Sequence, residues 1–371
     1  MIAGVLTLIL MVFAGWVLLV SDPFGGEPMA IVSAPVAASP ATGAPTDKET
    51  RRSAEPAPSQ GTTVTIIDGM SGKRQDVTIG SGRNDAAPAQ SAQAGRPPDP
   101  PSARMAAIEP RLVEMTANGP IPKIGPDGAR AADVYAHARS APGPSGPRIA
   151  IVVSGLGIGA SGTTEALTRL PAAVTFAFSP YGGDLERVVS RARGEGHEIL
   201  MQVPMEPFDY PDNDPGPRTL LTSIGADQNL DRLHWFMSRT QGYVGIANYM
   251  GARFTANEPA VAPVLSDIAK RGLIYFDDGS SPRSLAVQLA GANNGALAKA
   301  NVVLDAVPVA SEIDSALARL ETLAREGGIG IGVASALPVS IDRIAQWAKA
   351  AENRGLNLVP ISVVASRPKA S

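Results

Sequence analysis

RIAIVVSGLGIGASGTTEALTRLPAAVTFAFSPYGGDLERVVSRARGEGHEILMQVPMEP, residues 148–207, holds three short apolar runs separated by two amphipathic stretches. The runs at 149–153, 174–178 and 198–203 are rich in β-branched and aromatic residues and too short for helices, so they read as buried strands. The stretches at 163–170 and 185–195 carry apolar residues at helical spacing. Strand, helix, strand in this rhythm is the βαβ unit of a parallel sheet. Working outward, the same rhythm predicts strands at 243–247, 273–276, 302–304, 329–333 and 358–361, and helices at 227–240, 259–271, 311–326 and 341–354, with a weaker Ala/Gly/Asn-rich helix at 284–298. Gly196, Gly272 and Gly355 each fall between a helix and the next strand, where a left-handed residue ends the helix. About eight such units in some 220 residues predict a distorted β/α barrel of 7–8 strands. A doubly wound open sheet is the alternative, because periodicity does not report closure. In both, chemistry belongs at the carboxyl ends of the strands.

The rest of the chain is of another kind. Of its 33 prolines, 19 precede residue 148, whereas 13 of its 17 aromatic residues lie beyond it; the core builders are therefore C-terminal. Residues 2–20 (IAGVLTLILMVFAGWVLLV) carry no charge and would span roughly 28 Å as a helix, close to a bilayer's hydrocarbon thickness. A cleaved signal peptide has a shorter apolar core of about 7–15 residues, so an uncleaved transmembrane anchor at 1–21 is expected. From 22 to 104 the chain is Ala/Pro/Ser/Gly-rich, too poor in apolar surface to offset the entropy of ordering, and reads as a disordered tether. Within it, alternating β-formers at 62–67 and 75–79 predict a hairpin over 62–79. Residues 105–371 form the folded domain, with 108–141 as an extension packed on the barrel.

Net charge is −3 from 32 basic and 35 acidic residues, so no polycation is present and no nucleic-acid partner is expected. The chain has no cysteine, which excludes disulfides and thiolate chemistry. His137, His197 and His234 are its three histidines. Gly155-Leu156-Gly157-Ile158-Gly159 lacks the G-x-G-x-x-G spacing of a dinucleotide site, and no G-x-S-x-G elbow points to a serine esterase.

The last residue of each strand, together with its next few neighbours in the chain, gives a candidate mouth. It holds Ser154-Gly155, Ser179-Pro180-Tyr181, Gln202 to Tyr210, Asn248-Tyr249 running to Arg253, Asp277-Asp278-Gly279-Ser280, Asp305, Ser335 and Ser362. Glu206, Asp277 and Asp278 with Arg253 are the candidates for acid/base work on a sugar. Tyr181, Phe208, Tyr210, Asn248, Tyr249 and Ser280 are the candidates for holding it. The alternative for Asp277-Asp278-Gly279 is a capped turn, with Arg253 paired to one of the aspartates. Asp209, Asp212 and Asp214 lack the spacing of a calcium loop.

The strings VTFAFSPYG (174–182), GHEILMQVPMEPFDYPDNDPGP (196–217), GYVGIANYMGARFT (242–255), RGLIYFDDGSS (271–281) and IGVASALPVSI (331–341) make residues 148–362 resemble the divergent polysaccharide deacetylases, a bacterial envelope branch of the carbohydrate-esterase barrels. The resemblance implies a distorted, seven-stranded β/α barrel, a role in envelope carbohydrate metabolism, and hydrolysis of N-acetyl groups on amino sugars by a divalent metal held by one Asp and two His, with a second Asp as base. Here Ser154 and Gly155 replace the paired aspartates, Tyr249 stands where relatives often carry His, and none of the three histidines lies at the mouth. That metal set is therefore not expected; Mg²⁺ or Ca²⁺ on Glu206, Asp277, Asp278 and Asp305 is the open alternative. The expected protein sits in the inner membrane through residues 2–20, with its C-terminal domain in the periplasm facing an envelope glycan or amino-sugar polymer. It is a hydrolase with altered site chemistry or, alternatively, a non-catalytic glycan-binding or scaffolding protein.

Overall fold

The computed structural model describes residues 62–67, 74–79, 108–137 and 146–366, in two units, Met1–Ser91 and Ala92–Ser371. In the first, strand β1 (Thr62–Ile67) pairs antiparallel with β2 (Arg74–Ile79), Thr62 opposite Ile79 and Ile67 opposite Arg74. This is the hairpin that the alternating β-formers predict. The expected anchor at 2–20 and the remainder of the tether lie outside the described residues. Among the described residues no helix is long and apolar enough to cross a membrane.

The second unit opens with a small antiparallel pair, β3 (Val113–Thr116) and β4 (Gly119–Pro122), and a short helix α1 (Ala131–Val134). The repeat then begins: β5 (Arg148–Leu156), α2 (Ala160–Arg169), β6 (Thr175–Phe178), α3 (Leu185–Gly194), β7 (Ile199–Met205), α4 (Ala226–Met237), β8 (Gly245–Met250), α5 (Glu258–Lys270), β9 (Ile274–Asp277), α6 (Ala286–Ala292), β10 (Ala296–Lys299), β11 (Val302–Val303), α7 (Ala310–Gly327), β12 (Ile329–Ser335), α8 (Pro338–Ala351), β13 (Asn357–Leu358) and α9 (Ile361–Val364).

Every pairing in the large sheet is parallel, and its order is β10-β9-β8-β7-β6-β5-β12-β11, with β13 added to β5. From β5 to β10 neighbours in space are neighbours in sequence. A doubly wound sheet would reverse direction at a switch point, so this order selects the barrel. The two ends of the order, β10 and β11, are consecutive pieces of one segment, 296–303. At its middle the Ala300 N–H donates to the Asp277 carbonyl on β9 (2.9 Å), and the Asn301 N–H donates to the Ile331 carbonyl on β12 (2.7 Å). The Asn301 side-chain oxygen accepts a bond from the Ile331 N–H at 2.9 Å. One segment thus joins both free edges, which would otherwise expose unpaired backbone groups.

Segment 284–298, expected to be one weak helix, is instead the helix α6 followed by the strand β10. Four residues, Ala-Leu-Ala-Lys, are too few for periodicity to distinguish the states; pairing with β9 decides. Likewise 358–361, expected as a strand, is strand only to Leu358 and turns helical at Ile361.

Strands covered on both faces need continuous apolar runs, and Ile149 to Val153, Phe176, Phe178, Leu200 and Met201 are fully buried. At the amino-terminal end of the barrel His197 stacks on Phe176 (centroids 3.8 Å apart) and places its Nδ1 2.8 Å from the Val174 carbonyl. Beside it the buried Glu198 carboxylate accepts from the His137 N–H (2.9 Å), the Ser362 N–H (3.0 Å) and the Ser362 hydroxyl (2.5 Å). It thereby ties the extension before β5 and the helix after β13 to one strand. Burial raises its pKa against those bonds. Truncating Phe176→Ala removes the ring that His197 and Phe178 pack against. We expect it to cost about 3–5 kcal/mol of stability, read as a lowered urea midpoint with the m-value unchanged.

Candidate functional site

At the carboxyl ends of the strands lies a cleft of about 340 Å³. Its polar lining comes from β5 (Ser154), β7 (Gln202), the loop after β7 (Asn213), β8 (Asn248), the turn after β9 (Asp278, Ser280), the segment after β11 (Asp305) and β12 (Ser335), with Tyr249 at its rim and Ala177, Phe276 and Val333 among its apolar walls. A smaller chamber of about 130 Å³ adjoins it, walled by Ile158, Pro180, Tyr181, Pro204 and Pro215; Gln202 and Tyr249 line both.

The floor is built by local bonds. Asn248 is spent on backbone: its Oδ1 accepts from the Asp278 N–H (2.9 Å) and its Nδ2 donates to the Met250 carbonyl (2.7 Å). Asp278 Oδ1 accepts from the Ser280 N–H (2.9 Å) and hydroxyl (2.7 Å). Gly279 sits between them at φ +72°, and an added Cβ would lie 2.5 Å from the Ala300 carbonyl oxygen. No other residue fits that turn against the segment that closes the barrel. Burial raises the Asp278 carboxyl above its ordinary 3.8, opposed by the Ser280 and Asn248 hydrogen bonds. Asp305, also buried, accepts through Oδ2 from the Ser335 N–H and the Ser340 hydroxyl, both at 2.7 Å.

On β5 the register shifts between Val153 and Leu156, a bulge of the kind that re-aims backbone groups beside functional sites. Gly155 takes φ +79° there and donates its N–H to Gln202 Oε1 at 2.8 Å. Since β6 lies between β5 and β7, that bond links two strands that are not neighbours in the sheet.

Of the expected site residues, Asp278, Asn248, Tyr249 and Ser280 come together in the cleft. Glu206, Asp277 and Arg253 do not join them. Glu206 is buried, accepts from the Thr222 N–H (2.5 Å) and hydroxyl (2.7 Å), and pairs with Arg253 Nη1 at 3.0 Å. Arg253 also donates to the Phe208 carbonyl. The two hold the long loop after β7, and Arg253 pairs with this glutamate rather than with an aspartate of the 277–278 turn. Asp277 is saturated by the Gly279 N–H (2.9 Å) and the Ser284 hydroxyl (2.6 Å), a capped turn. Tyr181 lines the smaller chamber, but its hydroxyl donates to the Pro217 carbonyl at 2.5 Å; burial, then the nearby Asp214 charge, push its pKa up to about 12. Phe208 is exposed and Tyr210 half-buried on the loop, and neither lines the cleft. Gln202, Ser154 and Ser335, to which only their strand-end positions pointed, belong to the site, as does Asp305, expected as a possible oxygen ligand.

A divalent metal of the deacetylase type needs convergent imidazole and carboxylate donors, and the residues present do not fit it. Ser154 and Gly155 end β5, His197 is buried in the opposite end of the barrel, His137 lies 2.6 Å from the Gly196 carbonyl, and His234 pairs with Asp267 on α5. Among the described residues no three His, Asp or Glu converge on a point.

The chain belongs to the divergent polysaccharide deacetylase family, whose profile matches residues 151–365. The uncharacterized protein YibQ of Escherichia coli (strain K12) is 24% identical over 194 residues, 52% of this chain and 60% of YibQ, so the match spans less than two thirds of that relative. The crystal structure of an uncharacterized protein from Agrobacterium tumefaciens C58, 44% identical, superposes with a TM-score of 0.64 over 66% of this chain and 98% of that one.

Two tests separate the cleft's carboxylate from the loop's. Because the Asp278 pKa is raised on folding, its stabilising contribution is fully present below about pH 4 and is lost as the pH rises through the raised value. Asp278→Asn has no such titration, so wild-type stability relative to this variant should fall as the pH rises from about 4 through the raised value in denaturant titrations. Glu206→Ala strands the Thr222 N–H and Arg253 and should cost about 1–3 kcal/mol in the same measurement.

Proposed function

We propose that this chain is a glycan-binding protein of envelope carbohydrate metabolism, which holds an amino-sugar polymer in the strand-end cleft. The observation that carries the reading is the chemistry of that cleft: hydroxyl, amide and carboxylate groups between apolar walls, with Tyr249 41% exposed at the rim as a flat face for a sugar ring. Such groups recognise hydroxyls and ring faces. They do not assemble the imidazole-carboxylate donor set that metal-assisted deacetylation in the wider family calls for. Family membership supports a carbohydrate polymer as the ligand. The uncharged segment 2–20 supports an inner-membrane anchor with the barrel held in the periplasm.

A second reading, hydrolysis with altered chemistry, is favoured by the raised pKa of the Asp278 carboxyl, which suits a proton donor. Both are tested together by titrating the purified chain with amino-sugar oligosaccharides while assaying released acetate. Binding without acetate release supports the first reading. Acetate release that Asp278→Asn abolishes, with binding kept, establishes the second. Tyr249→Ala, at an exposed position, should leave the fold intact and weaken binding about tenfold by removing the stacking face.

A further inference from the structure

Gln202 is only 4% exposed, yet it lines both the cleft and the smaller chamber. The backbone N–H of Gly155 can only donate, so the group facing it at 2.8 Å is the side-chain oxygen, and the amide nitrogen points elsewhere. Among the described residues that nitrogen has no hydrogen-bond partner, and it is not an enclosed atom, since the one enclosed unpartnered side-chain polar atom there is the Ser281 hydroxyl; it therefore faces the open space of the chambers. Two N–H donors on a side chain locked at its other end are therefore left open at the junction of the chambers. A donor that reaches the cleft and is held in place at its other end can meet a ligand's acceptor with little further ordering, so less of the binding energy is lost.

The surroundings define the acceptor. On one side Ile158, Pro180, Tyr181, Pro204 and Pro215, with Ser179 among them, wall a mostly apolar space of about 130 Å³, close to the ~150 Å³ of a cavity that takes up benzene, so a short acyl group fits. On the other side Asp278 and Asp305 line the cleft, which disfavours an anionic oxygen. A neutral carbonyl attached to a small apolar group, itself carried by a polar ring, meets all three conditions.

We propose that Gln202 is the specificity-determining residue of the site: its amide nitrogen donates to the carbonyl oxygen of the ligand's N-acyl substituent, and the apolar chamber takes the acyl carbon. The acyl group is thereby read and kept. This inference rests on the cleft being a glycan site, and the test separates the two. The full chain in detergent is titrated calorimetrically with two neutral probes of the same linkage, the β-1,4 tetrasaccharide of N-acetylglucosamine and cellotetraose, which has a hydroxyl in place of each acetamido group.

The expected result is about tenfold tighter binding of the acetylated probe. Gln202→Leu and Gln202→Glu should both reduce this gap to about onefold, read as the ratio of the two probes' affinities within each variant. Gln202→Glu keeps the length of the side chain and an acceptor for Gly155, so it carries the test if the leucine variant fails to fold. Equal wild-type affinity for both probes would overturn the role of Gln202 and leave the glycan site standing. A preference that survives both substitutions would do the same. Failure of both probes to bind would overturn the glycan reading, and this inference with it.

Discussion

The fold depends on one short segment, 296–303, that belongs to two strands at once. Its first half pairs with β9 and its second with β12, and the hand-over falls on the adjacent amides of Ala300 and Asn301. Without it the parallel sheet would end in two open edges and its strand ends would splay. With it, the carboxyl ends of β5, β7, β8, β9 and β12 face a common space. The Ala300 carbonyl also lies where a Cβ at residue 279 would stand, so the turn bearing Asp278 requires glycine there. Closure and the cleft floor are thus the same set of contacts.

Within the cleft, chemistry is decided by which polar atoms are already used. Asp277, Glu206 and Asn248 stand at strand ends, where a functional group would be sought, and each is committed to backbone or side-chain partners that shape loops. Asp278 and Asp305 also accept hydrogen bonds but remain on the cleft wall. Gln202 differs from all of these, since one half of its amide is pinned to Gly155 and the other half is free. Ser154, Gly155 and Gln202 meet at this end of the barrel, while His197 lies at the opposite end.

The sequence by itself determined the repeat. Apolar runs bounded by helix-ending glycines located seven of the barrel strands to within a few residues, the hairpin at 62–79, and the end of the barrel where polar residues gather. It also determined family membership, through long strings such as 196–217 and 271–281, and the lack of a histidine at the mouth. These are legible because burial on both faces of a parallel strand imposes a local pattern, and because residue type at a strand end is read directly.

Tertiary structure decided what no local pattern carries. Strand β10 is four residues of Ala, Leu and Lys whose strand state comes from pairing with β9, and closure into a barrel comes from bonds to Asp277 and Ile331 made from neighbouring residues. Whether a carboxylate is free or committed depended on partners far along the chain: Thr222 and Arg253 for Glu206, Ser335 and Ser340 for Asp305. The open nitrogen of Gln202 arises from a bulge on β5, 47 residues earlier. Hydrogen bonds are satisfied in space rather than in sequence, so strand-end position nominated the residues and three-dimensional pairing assigned their roles.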